Sequence, residues 1–168
     1  QSYRKPAKAS ASIDGHGPEL AFDENIRTFW SAPADAKNPT LEVDLEAPRT
    51  LNAVQINFTE HLCQQVERKG GPLFHQYLLE ASLDGQKWTP LIDKRNNDTD
   101  VPHDYVELTK PTTARYLKLT ILHMPGGGTA AVSGLRVFGH GGGTAPAAVT
   151  GLKARRDPVD LCSAKTSW

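Results

Sequence analysis

The sequence predicts an all-β fold, a sandwich or a barrel, and three observations favour it. Short runs alternate apolar and polar residues, as in 41–45, where Leu41, Val43 and Leu45 are separated by two acids. The chain contains 14 glycines and 12 prolines, and many of them fall between such runs, as turn residues do in all-β domains. No segment sustains the period of a helix, and only a short helical turn is expected near 19–22.

Seven strands are predicted, each a run of alternating or β-branched residues bounded by turn residues. In chain order they span 41–45, 51–58, 77–83, 88–92, 105–109, 114–122 and 132–138. In the second strand, Val54, Ile56 and Phe58 share the face that we expect to be buried. Trp30 and Trp88 are interpreted as core residues.

Size and charge narrow the classes of partner. The chain has 168 residues, enough for one domain with a sizeable core. Its 19 basic and 19 acidic residues give a formal net charge of zero. This balance argues against nucleic acid and against an anionic membrane as partners, because both attract basic proteins. No apolar run is long enough for a membrane span, and the first residues do not form a signal peptide.

A Gly-rich stretch marks a domain boundary. Residues 140–147 are mostly Gly, Ala and Pro and are interpreted as a flexible linker. We therefore expect one domain over 1–139 and the truncated beginning of a second over 148–168. The second segment is too short to bury a core of its own.

The lengths of the connections predict one plain end and one elaborate end of the sandwich. If successive strands are antiparallel, alternate connections lie at the same end. One end then collects the short turns at 46–50, 84–87 and 110–113. The other end collects the long connections at 31–40, 59–76, 93–104 and 123–131. Long loops in a compact domain commonly carry function, so we expect a binding site at the second end.

Catalysis is not expected in this chain. His103-Asp104 with Ser133 could be arranged as a hydrolytic triad, and Glu60 with Glu67 or Asp100 as a carboxylate pair. Such residue types occur on any loop surface, however, and the sequence has neither a nucleophile elbow nor a phosphate-binding loop.

Five ordered segments carry a family resemblance. They are AFDENIRTFW at 21–30, LEVDL at 41–45, EASLDGQKW at 80–88, ARYLKLT at 114–120 and GLRVFG at 134–139. Together they resemble the discoidin, or coagulation factor V/VIII type C, family, whose bacterial members include family 32 carbohydrate-binding modules. The resemblance implies an eight-stranded jelly-roll β-sandwich of the galactose-binding-like type, usually attached to a secreted polysaccharide-degrading enzyme. The tail at 146–157 is similar to the first strand of a fibronectin type III domain.

Candidate sugar-binding residues lie on the long loops. A sugar presents an apolar C–H face to an aromatic ring and hydroxyl groups to paired donors and acceptors. Phe74 and Tyr105 are candidates for the aromatic platform, although core packing is the favoured interpretation of Tyr105. Candidates for the hydrogen bonds are His61, Arg68, His75, Asn96, Asn97, His103 and His123. The resemblance implies a His, a basic residue, an Asn and an aromatic from these loops, but differing loop lengths leave open which ones bind and which only brace a loop.

A calcium ion is the one cofactor considered. Asp23, Asn25 and Thr28 offer oxygen ligands at close spacing, which suits a hard cation. The resemblance implies a structural calcium here in many bacterial members, with a further ligand from a late Glu. Gly134 stands where that Glu is expected, and Asp23 and Thr28 could equally cap a turn.

We interpret the chain as a non-catalytic carbohydrate-binding module of a glycoside hydrolase. Its expected partners are a polysaccharide or other glycan and the catalytic domain of the parent enzyme, and its expected location is secreted, periplasmic or on the cell surface. The alternative is a structural or protein-interaction domain that packs on its parent enzyme and binds no sugar.

Overall fold

The computed structural model is an antiparallel β-structure that describes residues 1–63, 73–140, 150–151, 153–156 and 164–167. In chain order the strands are β1 (Ala7–Ala9), β2 (Trp30–Ser31), β3 (Thr40–Phe58), β4 (Gln76–Ser82), β5 (Thr89–Asp93), β6 (His103–His123), β7 (Ala131–His140), β8 (Lys153–Arg156) and β9 (Ala164–Ser167). Two short 3-10 helices, Pro18–Ala21 and Pro125–Gly127, interrupt the loops. Across the described ranges, no helix has both the length and the hydropathy needed to cross a membrane.

Two long strands, β3 and β6, build both layers of the sandwich. Residues 40–44 of β3 pair with 116–120 of β6 in one layer, which β1, β4 and β5 complete; we call it the front sheet. Residues 53–57 of β3 pair with 103–107 of β6 in the other layer, which β7 and β2 complete; we call it the back sheet. Each long strand therefore passes from one sheet to the other partway along its length.

The passage between the layers replaces two predicted turns. The sequence predicts separate turns at 46–50 and 110–113, whereas both segments belong to continuous strands that bend. The register shift between Asp44 and Arg49 marks the bend of β3, and Glu46 adopts a left-handed backbone with φ 65° there. The prediction of turns is wrong, but both ends of β3 and of β6 still lie at the same end of the sandwich.

The apolar residues of both sheets meet in one core. Leu41, Val43, Ile56 and Leu119 are almost fully buried, which confirms the predicted alternation and the all-β sandwich class. Trp30 is also fully buried, as predicted. Trp88 is not a core residue, because it lies in the turn before β5.

The side chain of Trp88 is half-buried against a cation. The Lys118 ammonium lies 4.3 Å from the centroid of its indole ring, a cation–π geometry typical of a partly exposed tryptophan.

The C-terminal strands β8 and β9 pair with each other in a separate two-stranded sheet. Strand β7 ends at His140, the first residue of the predicted linker. The domain boundary at 139–140 and the fibronectin-like identity of the tail stay predictions.

Candidate functional site

The long connections converge at one end of the sandwich, which we call the rim: residues 31–40, 59–63, 73–76, 93–102 and 123–131, together with His16 and Phe29, whose rings pack beside His61. The Ala32 N–H donates to Ala130 O at 2.9 Å, and the Thr59 N–H donates to Ala131 O at 3.0 Å. His61 and Thr129 form an isolated β-bridge between two of these loops. The antiparallel topology thus gathers the loops as the sequence predicts.

His61 ties three loops together. Its Nδ1 lies 3.0 Å from the Ser31 hydroxyl and 3.1 Å from the Thr129 hydroxyl. The Ser31 and Thr129 side chains are buried, so these contacts also satisfy hydroxyls that have lost water. Burial, with a smaller contribution from His16, lowers the pKa of His61. The imidazole is therefore neutral near pH 7 and can exchange hydrogen bonds with sugar hydroxyls.

Two further residues complete an aromatic cluster around His61. The His16 ring lies 4.2 Å from the Phe29 ring and 5.4 Å from the His61 ring, centroid to centroid. His16 Nδ1 donates to Phe29 O at 3.0 Å, which leaves its Nε2 as an acceptor. Neither residue is among the predicted candidates. Alternation could have suggested Phe29, because it precedes the inward-facing Trp30 and must face the other way.

A second cluster pairs Phe74 with His123. Their rings stack with centroids 4.0 Å apart and planes 21° apart. His123 Nδ1 donates to Phe74 O at 2.9 Å, so its Nε2 is also an acceptor. Both side chains are half-buried, and each retains surface at the rim. These two predicted residues are brought together.

His75 is placed inside the protein rather than on its surface. Its side chain is 2% exposed and stacks on Phe58 with centroids 4.7 Å apart. Its Nδ1 accepts the Val101 N–H at 3.3 Å and lies 3.2 Å from the Asp100 carboxylate. Burial lowers the pKa of His75. A sugar at the surface has no access to this ring, so the surface position expected for His75 is wrong.

The two asparagines in the loop between β5 and β6 differ in role. Asn97 Nδ2 donates to His75 O at 2.9 Å and to Thr99 O at 2.6 Å, so Asn97 braces the loop. Asn96 is exposed at the rim and is free to face a ligand. Arg68 lies outside the described residues.

His103 and Tyr105 lie on the outer surface of the back sheet, away from the rim clusters. Strand β6 starts at His103, two residues earlier than predicted, so alternation directs His103 and Tyr105 outward and Asp104 inward. His103 Nδ1 lies 3.2 Å from Asn57 Oδ1. Tyr105 is 52% exposed, and its interpretation as a core residue is wrong.

The same alternation disperses the triad considered from the sequence. Asp104 is buried and accepts a hydrogen bond from the Tyr77 hydroxyl at 2.7 Å, on the opposite side of the strand from His103. The Ser133 hydroxyl donates to Asn57 O at 3.4 Å. His103, Asp104 and Ser133 therefore do not form a catalytic unit.

A shallow recess opens between two rim loops. It measures about 90 Å³ and lies between residues 33–39 and 121–130, with His123 and Thr129 in its wall. Enclosed ligand pockets typically measure about 300–1,000 Å³. This recess has room for the edge of a sugar ring, with the rest of the ring lying on the surface.

The Asp23 loop satisfies its own polar groups. Asp23 Oδ1 accepts the Asn25 N–H at 2.9 Å, and Asp23 Oδ2 accepts the Thr28 hydroxyl at 2.6 Å. All the donor atoms are oxygens, as calcium requires, but Asp23 is the single carboxylate of the set and Gly134 replaces the late Glu. No group of three or more His, Cys, Asp or Glu residues suited to a metal occurs in the described part of the chain. The donor set fits calcium only in part.

The comparisons with known proteins decide the family. The model of the F5/8 type C domain matches residues 6–135, most of the sandwich. The chain belongs to the F5/8 type C domain family. None of the curated proteins compared with it matches.

Three solved structures of similar shape are carbohydrate-binding modules. Chitosan-binding module 2 of a Paenibacillus chitosanase/glucanase, in complex with chitotriose, has a TM-score of 0.68 at 17% identity, covering 82% of this chain and 98% of the module. The family 32 module of Clostridium perfringens NanJ, in complex with galactose, has a TM-score of 0.62 at 20% identity. The match covers 80% of this chain and 93% of that module. A pectin-binding module has a TM-score of 0.61 at 17% identity, and the match covers 82% of this chain and 91% of that module. At these identities the likeness establishes the galactose-binding-like sandwich fold.

Proposed function

We propose that this F5/8 type C domain is a non-catalytic carbohydrate-binding module that holds a glycan at the rim. The observation that carries the proposal is the pair of aromatic clusters that the converging loops assemble. One consists of His16, Phe29 and His61, and the other of Phe74 and His123. Rings and polar nitrogens set side by side match the two kinds of surface that a sugar presents.

The hydrogen bonds within the rim determine which ring nitrogen of its histidines can contact a ligand. His16 and His123 each donate from Nδ1 to a backbone carbonyl, so Nε2 is the ring nitrogen that each has to offer a sugar hydroxyl. Asn96 adds an amide that both donates and accepts. The Phe74 ring supplies the apolar contact.

The affinity of such a site is modest. Each hydrogen bond to a sugar replaces one to water, so its net contribution is about 1 kcal/mol, and the recess encloses little of the ligand. Attachment to a parent glycoside hydrolase, in a secreted, periplasmic or cell-surface setting, offsets this weakness because several weak contacts on one polymer add avidity. The similarity to modules described as binding chitotriose, galactose and pectin supports this role.

Affinity electrophoresis in gels that contain chitosan, pectin, arabinan or xylan tests the proposal. We expect at least one polymer to retard the wild-type protein. Phe74→Ala and His123→Ala are expected to remove most of the retardation, because each breaks the stacked pair. Tyr3→Ala is the matched control, since Tyr3 is an exposed aromatic residue, 51% exposed, outside the rim.

Two results would contradict the proposal. The first is migration unchanged by any of the polymers and no heat of binding with galactose or chitotriose; this favours the alternative, a protein-interaction domain. The second is retardation that Tyr3→Ala weakens as much as Phe74→Ala does.

A further inference from the structure

We propose that the outer surface of the back sheet is a second, independent saccharide-binding surface, centred on Tyr105 and Phe138. This surface is separate from the rim site, because its residues lie on strands β3, β6 and β7 and not on the rim loops. We call this surface the outer face. Its members are Ala53, Gln55, Asn57, His103, Tyr105, Glu107, Gly134, Arg136 and Phe138, the outward positions of these strands in the observed register.

Two aromatic rings form a corner on the outer face. Tyr105 is 52% and Phe138 41% exposed, a large apolar area for neighbouring positions on a solvated sheet. Their centroids lie 5.9 Å apart and their planes meet at 65°. Ala53, between them on β3, pairs directly with Phe138 and has too small a side chain to fill the corner. The result is a recess of about 350 Å³ that Tyr105, Phe138, Glu107 and Ala53 help to line.

Polar groups flank this aromatic corner. Gln55 is the register partner of both Tyr105 and Arg136, so an amide and a guanidinium lie in the row that contains Tyr105. The Arg136 Nε–H donates to the Glu24 carboxylate, so a ligand there meets an ion pair and the Gln55 amide. One row further, about 7 Å along the strands, the exposed His103 contacts Asn57 at 3.2 Å. Asn57 is only 5% exposed, so His103 is the group in that row that a ligand can reach. A ring seated on the corner can therefore direct hydroxyls toward donors and acceptors on rigid strands.

This mixture of groups favours a saccharide over a protein partner. Glutamate is depleted at protein interfaces, whereas here Glu107 lines the recess beside the aromatic pair. The face also differs from a larger recess of about 450 Å³ beside Tyr116 on the front sheet. There the Arg115 guanidinium lies 4.8 Å from the Tyr116 ring centroid, so a cation already occupies a face of the aromatic ring.

Titration followed by two-dimensional amide NMR tests the proposal, with galactose, chitotriose, arabinotriose and xylotriose as separate probes. We expect at least one probe to shift amides around Tyr105 and Phe138 as a set distinct from the rim amides. Tyr105→Ala and Phe138→Ala should each weaken the binding measured at the outer face by about threefold to tenfold. Phe74→Ala should leave it unchanged, and Tyr3→Ala is the control for a surface aromatic.

The outcomes separate the two proposals. Shifts confined to the rim overturn the outer face and leave the proposed function intact. Shifts confined to the outer face support the outer-face proposal and contradict the proposed rim site. No shift with any probe overturns both. Because Tyr105 and Phe138 are exposed, their alanine variants should fold. Tyr105→Phe is a second check: it keeps the aromatic ring, so its affinity at the outer face should stay within about twofold of the wild-type value.

Discussion

The rim and the outer face offer similar side chains on different supports. At the rim, His61 holds the Ser31 and Thr129 hydroxyls, and His123 holds the Phe74 carbonyl. On the outer face, Tyr105 stands on a hydrogen-bonded strand and contributes to no comparable bracing in the described structure. The two proposals therefore give rim residues two roles, bracing and glycan contact, and give the aromatic residues of the outer face only glycan contact.

This difference has a measurable consequence. A substitution at the rim should change stability and glycan binding together, because the loop that presents the ligand groups loosens. A substitution on the outer face should change binding alone. Pairs of the same residue type, one in each environment, test the distinction.

The largest expected effect comes from comparing His61, at the rim, with His103, on the outer face. His61→Ala removes a ring from the cluster and takes one partner from each of two buried hydroxyls, which keep their bonds to each other and to backbone carbonyls. We expect a loss of about 2–3 kcal/mol in unfolding free energy. In a domain of this size, this loss of stability lowers Tm by about 4–10 °C. We also expect the affinity of the rim for glycan to fall at least about tenfold. His103→Ala takes a partner from the buried Asn57 amide and should cost less, about 1 kcal/mol or below. Thermal unfolding and calorimetric titration measure both; equal losses in the two variants would abolish the distinction.

A second comparison sets a core tyrosine, Tyr77 of strand β4, against Tyr105 on the outer face. Tyr77 is fully buried and donates to Asp104 at 2.7 Å, and burial followed by this hydrogen bond raises the pKa of Tyr77. Tyr77→Phe deprives a buried carboxylate of its donor and should cost about 1–3 kcal/mol. Tyr105→Phe should be neutral within about 0.5 kcal/mol. Urea denaturation compares them, and a neutral Tyr77→Phe would contradict the described network.

The third prediction concerns pH. Burial lowers the pKa of His75 below its usual 6.5, so the unfolded chain binds this proton at a higher pH than the folded one. Stability is therefore full above pH 6.5 and falls as the pH drops below it. His75→Phe, which keeps a ring on Phe58, should flatten this dependence although it lowers stability at every pH. Melting curves from pH 8 to pH 5 test this; identical slopes for the two proteins would rule out His75 as the source.

Calcium gives the smallest expected effect. With Asp23 as the single side-chain carboxylate, binding should be weak, and excess calcium should raise Tm by about 1 °C or less. Asp23→Asn should abolish that increment and lower Tm slightly with or without calcium, because the turn loses a charged acceptor. A rise of several degrees in the wild-type protein would require ligands beyond Asp23, Asn25 and Thr28.

Much of the fold follows from local patterns. The alternation of Leu41, Val43 and Leu45 and of Val54, Ile56 and Phe58 predicts the buried faces, and loop length predicts which end carries the long connections. The bends in β3 and β6 could not be predicted in this way, because a strand that crosses between layers keeps its backbone extended while its partners change. The sequence pattern near Glu46 resembles that of a turn.

The candidate site was harder to predict because it depends on where a strand starts. A two-residue error at the start of β6 removes His103 and Tyr105 from the rim. His75 illustrates a different limit: its burial depends on Phe58 and Asp100, which are distant in sequence. His16 and Phe29 were missed because they precede the predicted strands, although the position of Phe29 beside Trp30 carried a usable signal.

A crystal structure with a bound oligosaccharide, chosen as the one whose parent polymer retards the protein most, tests the central claim most directly. The account predicts a sugar ring in contact with Phe74, with a hydroxyl within hydrogen-bond distance of Nε2 of His123 or of His16. A sugar bound elsewhere, with the rim of the same molecule open to solvent and free of ligand, would contradict the account.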